Sequence, residues 1–505
     1  MTVLASVGLL AQGDGAFVRP PIDWHAAAPE LTLLAFGALI TMIDIGWLDR
    51  ARRLAAPLAS IALLATMVPI LTLAVDGTDR SMFGGAFVVD NYALIMKATF
   101  VLAAYVVVLL STNYIAEGDY WESEYYGLLL TSVLGMILMA SARDLISIFV
   151  ALELLSIPAY LLATWRKRDL RSNEAGIKYY LMGVFASAVM LYGMSLLYGS
   201  TGSTLLATIN AKVGEAATPT AVVVLGIVFV AVGFGFKVSA FPFHTWAPDT
   251  YEGAPTPVTA FLAVASKAAG FVALMNIVFV GLLGRDDVVE PLMWVLAAGS
   301  MTAGNLMALR QTNIVRMLAY SGVAQAGYML APLAVVGEVP DTALGAVVTY
   351  LVIYAAMNLG AFAVVMAVAR KTRSADIADY RGLFQYAPGL TVAMTVFLFS
   401  LAGIPPLGGW FAKFRVIEAL IDANTASGVV LGVVVAVNSV IALYYYARVG
   451  LGMWAEESPD GDLRPVDVPV SIVAAIGIAA VVTIAFGLGV GVGQFTDVTL
   501  LPVTG

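Results

Sequence analysis

About twenty consecutive apolar residues cross the hydrocarbon core of a bilayer as a helix, and this chain supplies such runs repeatedly along its 505 residues. Fourteen can be read, near 28–47, 54–75, 89–111, 125–141, 143–164, 174–199, 219–241, 256–283, 290–308, 314–336, 341–369, 388–421, 427–453 and 469–493. A soluble fold is excluded by the balance of residues. Apolar side chains make up 60% of the chain and charged ones 12%, against roughly half and a quarter in soluble domains, so too few polar residues exist to cover a core. The expected fold is an all-α polytopic membrane protein.

What the chain lacks removes whole classes of chemistry. It has no cysteine and two histidines, His25 and His244, so thiolate-held iron–sulfur clusters, zinc thiolates, disulfides and cysteine nucleophiles are ruled out. Paired histidine ligation of haem across spans fails as well, because His25 stands in the polar entry segment. Neither a phosphate-cradling glycine loop nor a strand with a dinucleotide fingerprint occurs. No cofactor or metal is expected on this chain, nucleic-acid binding has no support, and energy must arrive from elsewhere. Met1 to Leu10 is apolar but short and without a basic start, and reads as retained rather than as a cleaved leader.

Basic residues in short loops mark the cytoplasmic side. With the N-terminus outside, the loops after spans 1, 5, 9 and 11 fall inside and carry Arg50, Arg52, Arg53, Arg166, Lys167, Arg168, Arg171, Arg310, Lys371, Arg373 and Arg381. Outside loops hold little beyond Arg80, Arg143, Lys212 and Arg285. Both termini are therefore expected in the periplasm, with the acidic Glu117 to Glu124 loop inside.

Two spans are punctuated. Phe241-Pro242-Phe-His244-Thr-Trp-Ala-Pro-Asp249, and Gly403-Ile-Pro405-Pro406-Leu-Gly-Gly409, each place prolines where a helix would need backbone donors. Irregular backbone at membrane depth survives only where protein or a hydrated cavity satisfies it. Interrupted helices in corresponding positions of two halves point to a transport site.

Lys97, Glu153, Lys178, Lys237, Lys267 and Lys413 lie inside apolar runs. At roughly 2.5–3.5 kcal/mol per charge at a span centre, six facing lipid would cost on the order of 15 kcal/mol, more than a typical domain's stability. They must face an interior. Buried lysines lose their proton more readily, and a neighbouring carboxylate opposes this, so lysine and glutamate together can store and release a proton. Two unit charges about 4 Å apart at an effective dielectric near 20 interact by roughly 4 kcal/mol, which suffices to gate a proton. On this reading Glu153, Lys237, Lys267 and Lys413 transfer protons, and Lys178 and His244 support the relay. The competing readings are a static partner for Glu153, snorkelling for Lys178 and Lys413, and a satisfied structural histidine for His244. For Lys97, seven residues after Asp90, a structural ion pair is the default.

At these residues the sequence resembles the antiporter-like subunits of respiratory complex I, themselves similar to subunits of multi-component sodium/proton antiporters. The most specific stretch runs from Lys237 to Lys267. Glu174-Ala-Gly-Ile-Lys178-Tyr-Tyr, Asn305-Leu-Met-Ala-Leu-Arg310-Gln-Thr-Asn, Tyr380-Arg-Gly-Leu-Phe384 and the lysine at Lys413 resemble the N-type subunits in particular. The resemblance implies fourteen helices with two inverted five-helix repeats, each with one broken helix. Residues 1–124 would precede the repeats, 125–283 and 290–453 would form them, and 454–505 would close the chain. It implies Glu153 and Lys237 as the coupled pair, Lys267 as the central relay and Lys413 at the far end. It also implies partner subunits of M, L and K type, lipid around the chain rather than stand-alone homo-oligomers, and FMN, iron–sulfur clusters and quinone in partner subunits of a bacterial inner-membrane NADH:quinone oxidoreductase. Rival readings are a subunit of a sodium/proton antiporter or membrane-bound hydrogenase, a stand-alone solute carrier, and a scaffold.

Overall fold

The computed structural model describes residues 22–490, apart from 47, 119–121, 216–219 and 460, together with 493, 498 and 500. The expectations for the first twenty residues lie outside the described residues. Among the described residues, eleven helices are long and apolar enough to cross a bilayer: α1 Ala28–Gly46, α2 Leu48–Asp76, α3 Asn91–Ala116, α4 Glu122–Ser141, α5 Leu145–Ala163, α6 Leu170–Thr201, α7a Thr220–Lys237, α8 Thr256–Gly281, α11 Pro340–Thr372, α13 Ala426–Ala455 and α14 Val470–Gly487. Three further segments complete the fourteen: α9 Asp286–Ala308, α10 Ile314–Leu330, and α12a Pro388–Ala402 with α12b Gly408–Asp422. Helix α7a continues past its break as α7b, Trp246–Gly253. The order agrees with the apolar runs in the sequence. The chain is a multi-pass membrane protein.

Boundaries shift where polar residues continue a helix into water. The helix that carries span 2 begins at Leu48, while its apolar stretch runs from Leu54 to Asp76 as read from the sequence, and α6 extends over 32 residues. The short hairpin Arg80–Met82 with Phe87–Val89 and the helix Leu206–Val213 lie between spans.

The pairings of one repeat recur in the other: α4 packs on α5 as α9 packs on α10, and α6 on α7a as α11 on α12a. Asp144 caps α5 through the amides of Ile146 and Ser147, and Asn313 caps α10 through those of Val315 and Arg316. A short polar side chain at each N-cap satisfies donors that a buried helix start would leave bare. The same two caps form isolated bridges, Asp144 with Leu205 and Asn313 with Asp376.

Helix α8 lies at the centre, its apolar window entirely buried. Two π-helical segments, Leu262–Ser266 and Asn276–Gly281, flank an α-helical stretch Lys267–Met275. Wide turns of this kind gather at functional sites, and Lys267 stands at the junction of the first. Outward faces of α1, α2, α6, α13 and α14 expose large apolar side chains such as Met42, Leu71, Phe185, Val440 and Val481. That surface suits lipid.

Candidate proton-transfer site

The first break exposes a lysine to an internal polar wall. Lys237, 4% exposed, ends α7a and donates to Ser156 Oγ at 2.8 Å and Tyr179 Oη at 3.3 Å. Ser156 sits one helical turn beyond Glu153 on α5, so both face the same side. Tyr179 is held by stacking on Trp246, ring centroids 4.5 Å apart, and the Trp246 indole donates to the Phe236 carbonyl at 3.0 Å, which also accepts from the Ser239 amide in the tightened last turn of α7a. From α8, Gly270 approaches so closely that a Cβ there would lie 2.8 Å from Lys237 Cγ.

Glu153 is not in contact with this lysine. Its Oε1 accepts from Ser187 Oγ at 2.7 Å, and among the described residues it forms no ion pair within 4.0 Å. The direct carboxylate–ammonium contact expected from the sequence is replaced by hydroxyls: Ser156 and Tyr179 take two of the three donors of Lys237, and Glu153 is turned to Ser187. The two charges act on one another at longer range, more weakly than contact would allow.

Lys267, 1% exposed, donates to the Gly322 carbonyl of α10 at 2.7 Å. A side chain at Gly322 would sit 3.0 Å from Lys267 Nζ and 3.3 Å from Tyr354 Oη. Glycine therefore keeps these two polar groups on a shared face. Tyr354 also donates to the Ala263 carbonyl at 3.3 Å and receives from Asn358 at 3.0 Å.

The second break serves Lys413. Helix α12a stops at Ala402, Gly403 takes φ 89° where a side chain would be strained, and α12b restarts at Gly408. Both breaks carry a cis proline bond, Phe241–Pro242 and Pro405–Pro406. Lys413 is 5% exposed, donates to the freed Ala402 carbonyl at 2.8 Å and lies 4.5 Å above the Tyr328 ring. It does not snorkel to an interface.

Of the other expected residues, Lys178 and Lys97 lie apart from these lysines and His244 lies in the first break. The Lys178 side chain is 43% exposed and bridges Glu174 at 2.7 Å and Asp249 at 2.8 Å. Asp249 also meets Arg316, which reaches Glu252. Lys178 thus belongs to a half-exposed ion network lining a cavity of about 290 Å³, and not to the buried file; its position near a helix start lets the head reach the carboxylates. His244 is 4% exposed, and its Nδ1 has no hydrogen-bond partner among the described residues. It lies beside Phe241 and Tyr320. Lys97 forms the expected ion pair, but with Glu30 of α1 at 2.7 Å, while Asp90 is taken by Arg143 at 2.8 Å.

A family model described as NADH:quinone oxidoreductase/Mrp antiporter, TM, matches residues 142–439, well over half of the chain. The chain belongs to this family. Among its relatives, NADH-quinone oxidoreductase subunit N of Heliobacterium modesticaldum is 41% identical over 89% of this chain and 93% of its own length. The subunit N of Desulfitobacterium hafniense is 41% identical over 91% and 96%. A chain of respiratory complex I from Thermus thermophilus, solved with bound aureothin, superposes with a TM-score of 0.77 at 31% identity, over 93% of this chain and 100% of that one. A chain of the Mrp complex from Dietzia shares the fold at 22% identity and a TM-score of 0.81.

Within this family fold, the residues that reasoning from sequence missed are the neutral partners of the lysines, Ser156, Tyr179 and the Gly322 and Ala402 carbonyls, and the buried polar side chains Gln325, Tyr350 and Tyr354. One signal was available. Gln325 lies in the apolar run of α10, and a side-chain amide at membrane depth is costly unless paired.

Proposed function

We propose that this chain is a proton-translocating membrane-arm subunit of a bacterial NADH:quinone oxidoreductase, in which quinone reduction by partner subunits drives protons along Lys237, Lys267 and Lys413. The observation that carries the reading is a set of three buried lysines, each on neutral acceptors: Lys237 on Ser156 and Tyr179, Lys267 on the Gly322 carbonyl, Lys413 on the Ala402 carbonyl. A structural lysine at membrane depth would be matched by a carboxylate, as Lys97 is by Glu30. A lysine held only by neutral groups can exist with or without its proton, which is what a relay requires.

In this mechanism a proton enters from the cytoplasmic side, where the basic loops lie, and rests on Lys237. Glu153 attracts it from a distance, and movement of the carboxylate toward or away from the lysine tunes release. The proton passes through Lys267 toward Lys413, with His244 beside the first break as a supporting relay. Electron carriers reside in partner subunits, since this chain supplies no cysteine and only His25 and His244. The chain sits in the bacterial inner membrane with both termini periplasmic, beside M-, L- and K-type subunits. The relatives named subunit N favour this over an antiporter or hydrogenase host.

The test is Lys237→Ala in membranes, with assembly of the complex verified. Loss of NADH-driven proton pumping, with or without loss of quinone reduction, is expected. Normal pumping by an assembled complex overturns the assignment.

A further inference from the structure

We infer that Gln325 is a gate between Lys267 and Lys413, closed in this structure by its hydrogen bond with Tyr350. The inference rests on the proton path proposed above and adds a positioning residue to it.

The two repeats align on their caps. Counting from Asp144 and Asn313, Glu153 and Gly322 fall nine residues on, and Ser156 and Gln325 twelve. Counting back from the helix ends Thr201 and Thr372, Tyr179 and Tyr350 both fall twenty-two residues before. The serine and tyrosine that hold Lys237 thus have Gln325 and Tyr350 as their counterparts in the second repeat. There the partners have changed. Tyr350 Oη donates to Gln325 Oε1 instead of contacting a lysine, and Gln325 Nε2 donates to the Leu401 carbonyl at 3.0 Å. Lys413 takes the next carbonyl, Ala402, at 2.8 Å. Because the Leu401 carbonyl only accepts, it fixes the amide with nitrogen toward the break and oxygen toward Tyr350.

Position makes this amide an obstacle. On α10, Gly322 receives Lys267, Gln325 stands one turn further, and Tyr328 lies another turn on, under Lys413. Gln325 therefore occupies the step between the two lysines, 1% exposed, with Tyr350 fully buried beside it. A hydroxyl can pass a proton by accepting one and donating another. A neutral carboxamide cannot do so without an unfavourable tautomer, and here both its ends are engaged. Swinging it aside breaks two hydrogen bonds and opens room for water. A proton leaving Lys267 on such a water leaves a neutral amine behind and arrives at a neutral Lys413, which becomes the ammonium.

The experiment uses membranes carrying the assembled complex with Gln325→Glu, Gln325→Leu and Tyr350→Phe, with Lys267→Ala in parallel. The readouts are protons pumped per NADH and the stimulation of NADH oxidation by a protonophore. Glutamate, which fits the same space and carries a proton, is expected to bypass the gate, so that oxidation persists while pumping per NADH and protonophore stimulation fall. Tyr350→Phe removes one of the two closing hydrogen bonds, worth about 1 kcal/mol or roughly fivefold in gate opening, and is expected to shift both readouts the same way to a smaller extent. Leucine is expected to slow oxidation and pumping together. Wild-type values of both readouts in assembled Gln325→Glu and Tyr350→Phe complexes overturn the gate. If Lys267→Ala nevertheless abolishes pumping, the path stands and only the gate falls; if Lys267→Ala is also silent, the proposed path itself is wrong.

Discussion

Lys237 Nζ hydrogen-bonds Ser156 Oγ at 2.8 Å, while Glu153, one turn earlier on the same helix, is turned to Ser187 at 2.7 Å. Carboxylate and ammonium share an internal space without forming an ion pair, and a serine stands where contact was expected. This separates the charge of Glu153 from its hydrogen bonding, and mutations can address each.

Glu153→Gln keeps an oxygen that accepts from Ser187 and removes only the charge. If the charge matters, glutamine is as damaging as Glu153→Ala for NADH-driven pumping in the assembled complex. Pumping at the wild-type rate in Glu153→Gln would mean that Glu153 serves only to order α6 through Ser187.

Ser156→Ala leaves Lys237 with Tyr179 at 3.3 Å as its hydrogen-bond partner. A hydrogen bond to a charged group contributes about 1.5 kcal/mol or more, roughly a tenfold change. Turnover is expected to fall by about that factor without loss of assembled complex, and Ser156→Thr should recover much of it. An equal defect in both variants would indicate a packing effect instead.

Glu30 and Lys97 are both buried, with side-chain exposures of 10% and 0%. Removing one partner strands a charge, at a cost of about 3–5 kcal/mol. Glu30→Gln or Lys97→Met alone should lower the amount of subunit in membranes, and the double variant should restore it while pumping stays normal. A pumping defect in a stable double variant would move Lys97 from the structural to the functional residues.

Gly409, at the second break, and Gly432, inside α13, differ sharply in what they tolerate. A Cβ at Gly409 would lie 1.8 Å from the Ser400 carbonyl oxygen, whereas at Gly432 nothing lies within 4 Å. Gly409→Ala should destabilise the second break by about 1–3 kcal/mol or more through overpacking, visible as reduced subunit abundance, and Gly432→Ala should be silent. Equal abundance of the two would refute the close approach of α12b to the end of α12a.

The sequence by itself determined the membrane architecture, because a span needs only local apolar length and a break only proline and glycine at fixed places. It also identified the lysines, since an ammonium in an apolar run is costly wherever its side chain points. The tertiary structure alone decided what each charge touches. Glu30 rather than Asp90 meets Lys97, Ser156 and Tyr179 rather than Glu153 meet Lys237, and Lys178 joins a half-exposed network with Asp249. These partners come from helices far apart in sequence, so their encounter depends on packing and on repeat symmetry. Neutral groups such as Ser156, Tyr179 and the Gly322 carbonyl carry no signal of their own in a run of residues. They become partners of a buried charge only when the fold brings a lysine within hydrogen-bonding distance.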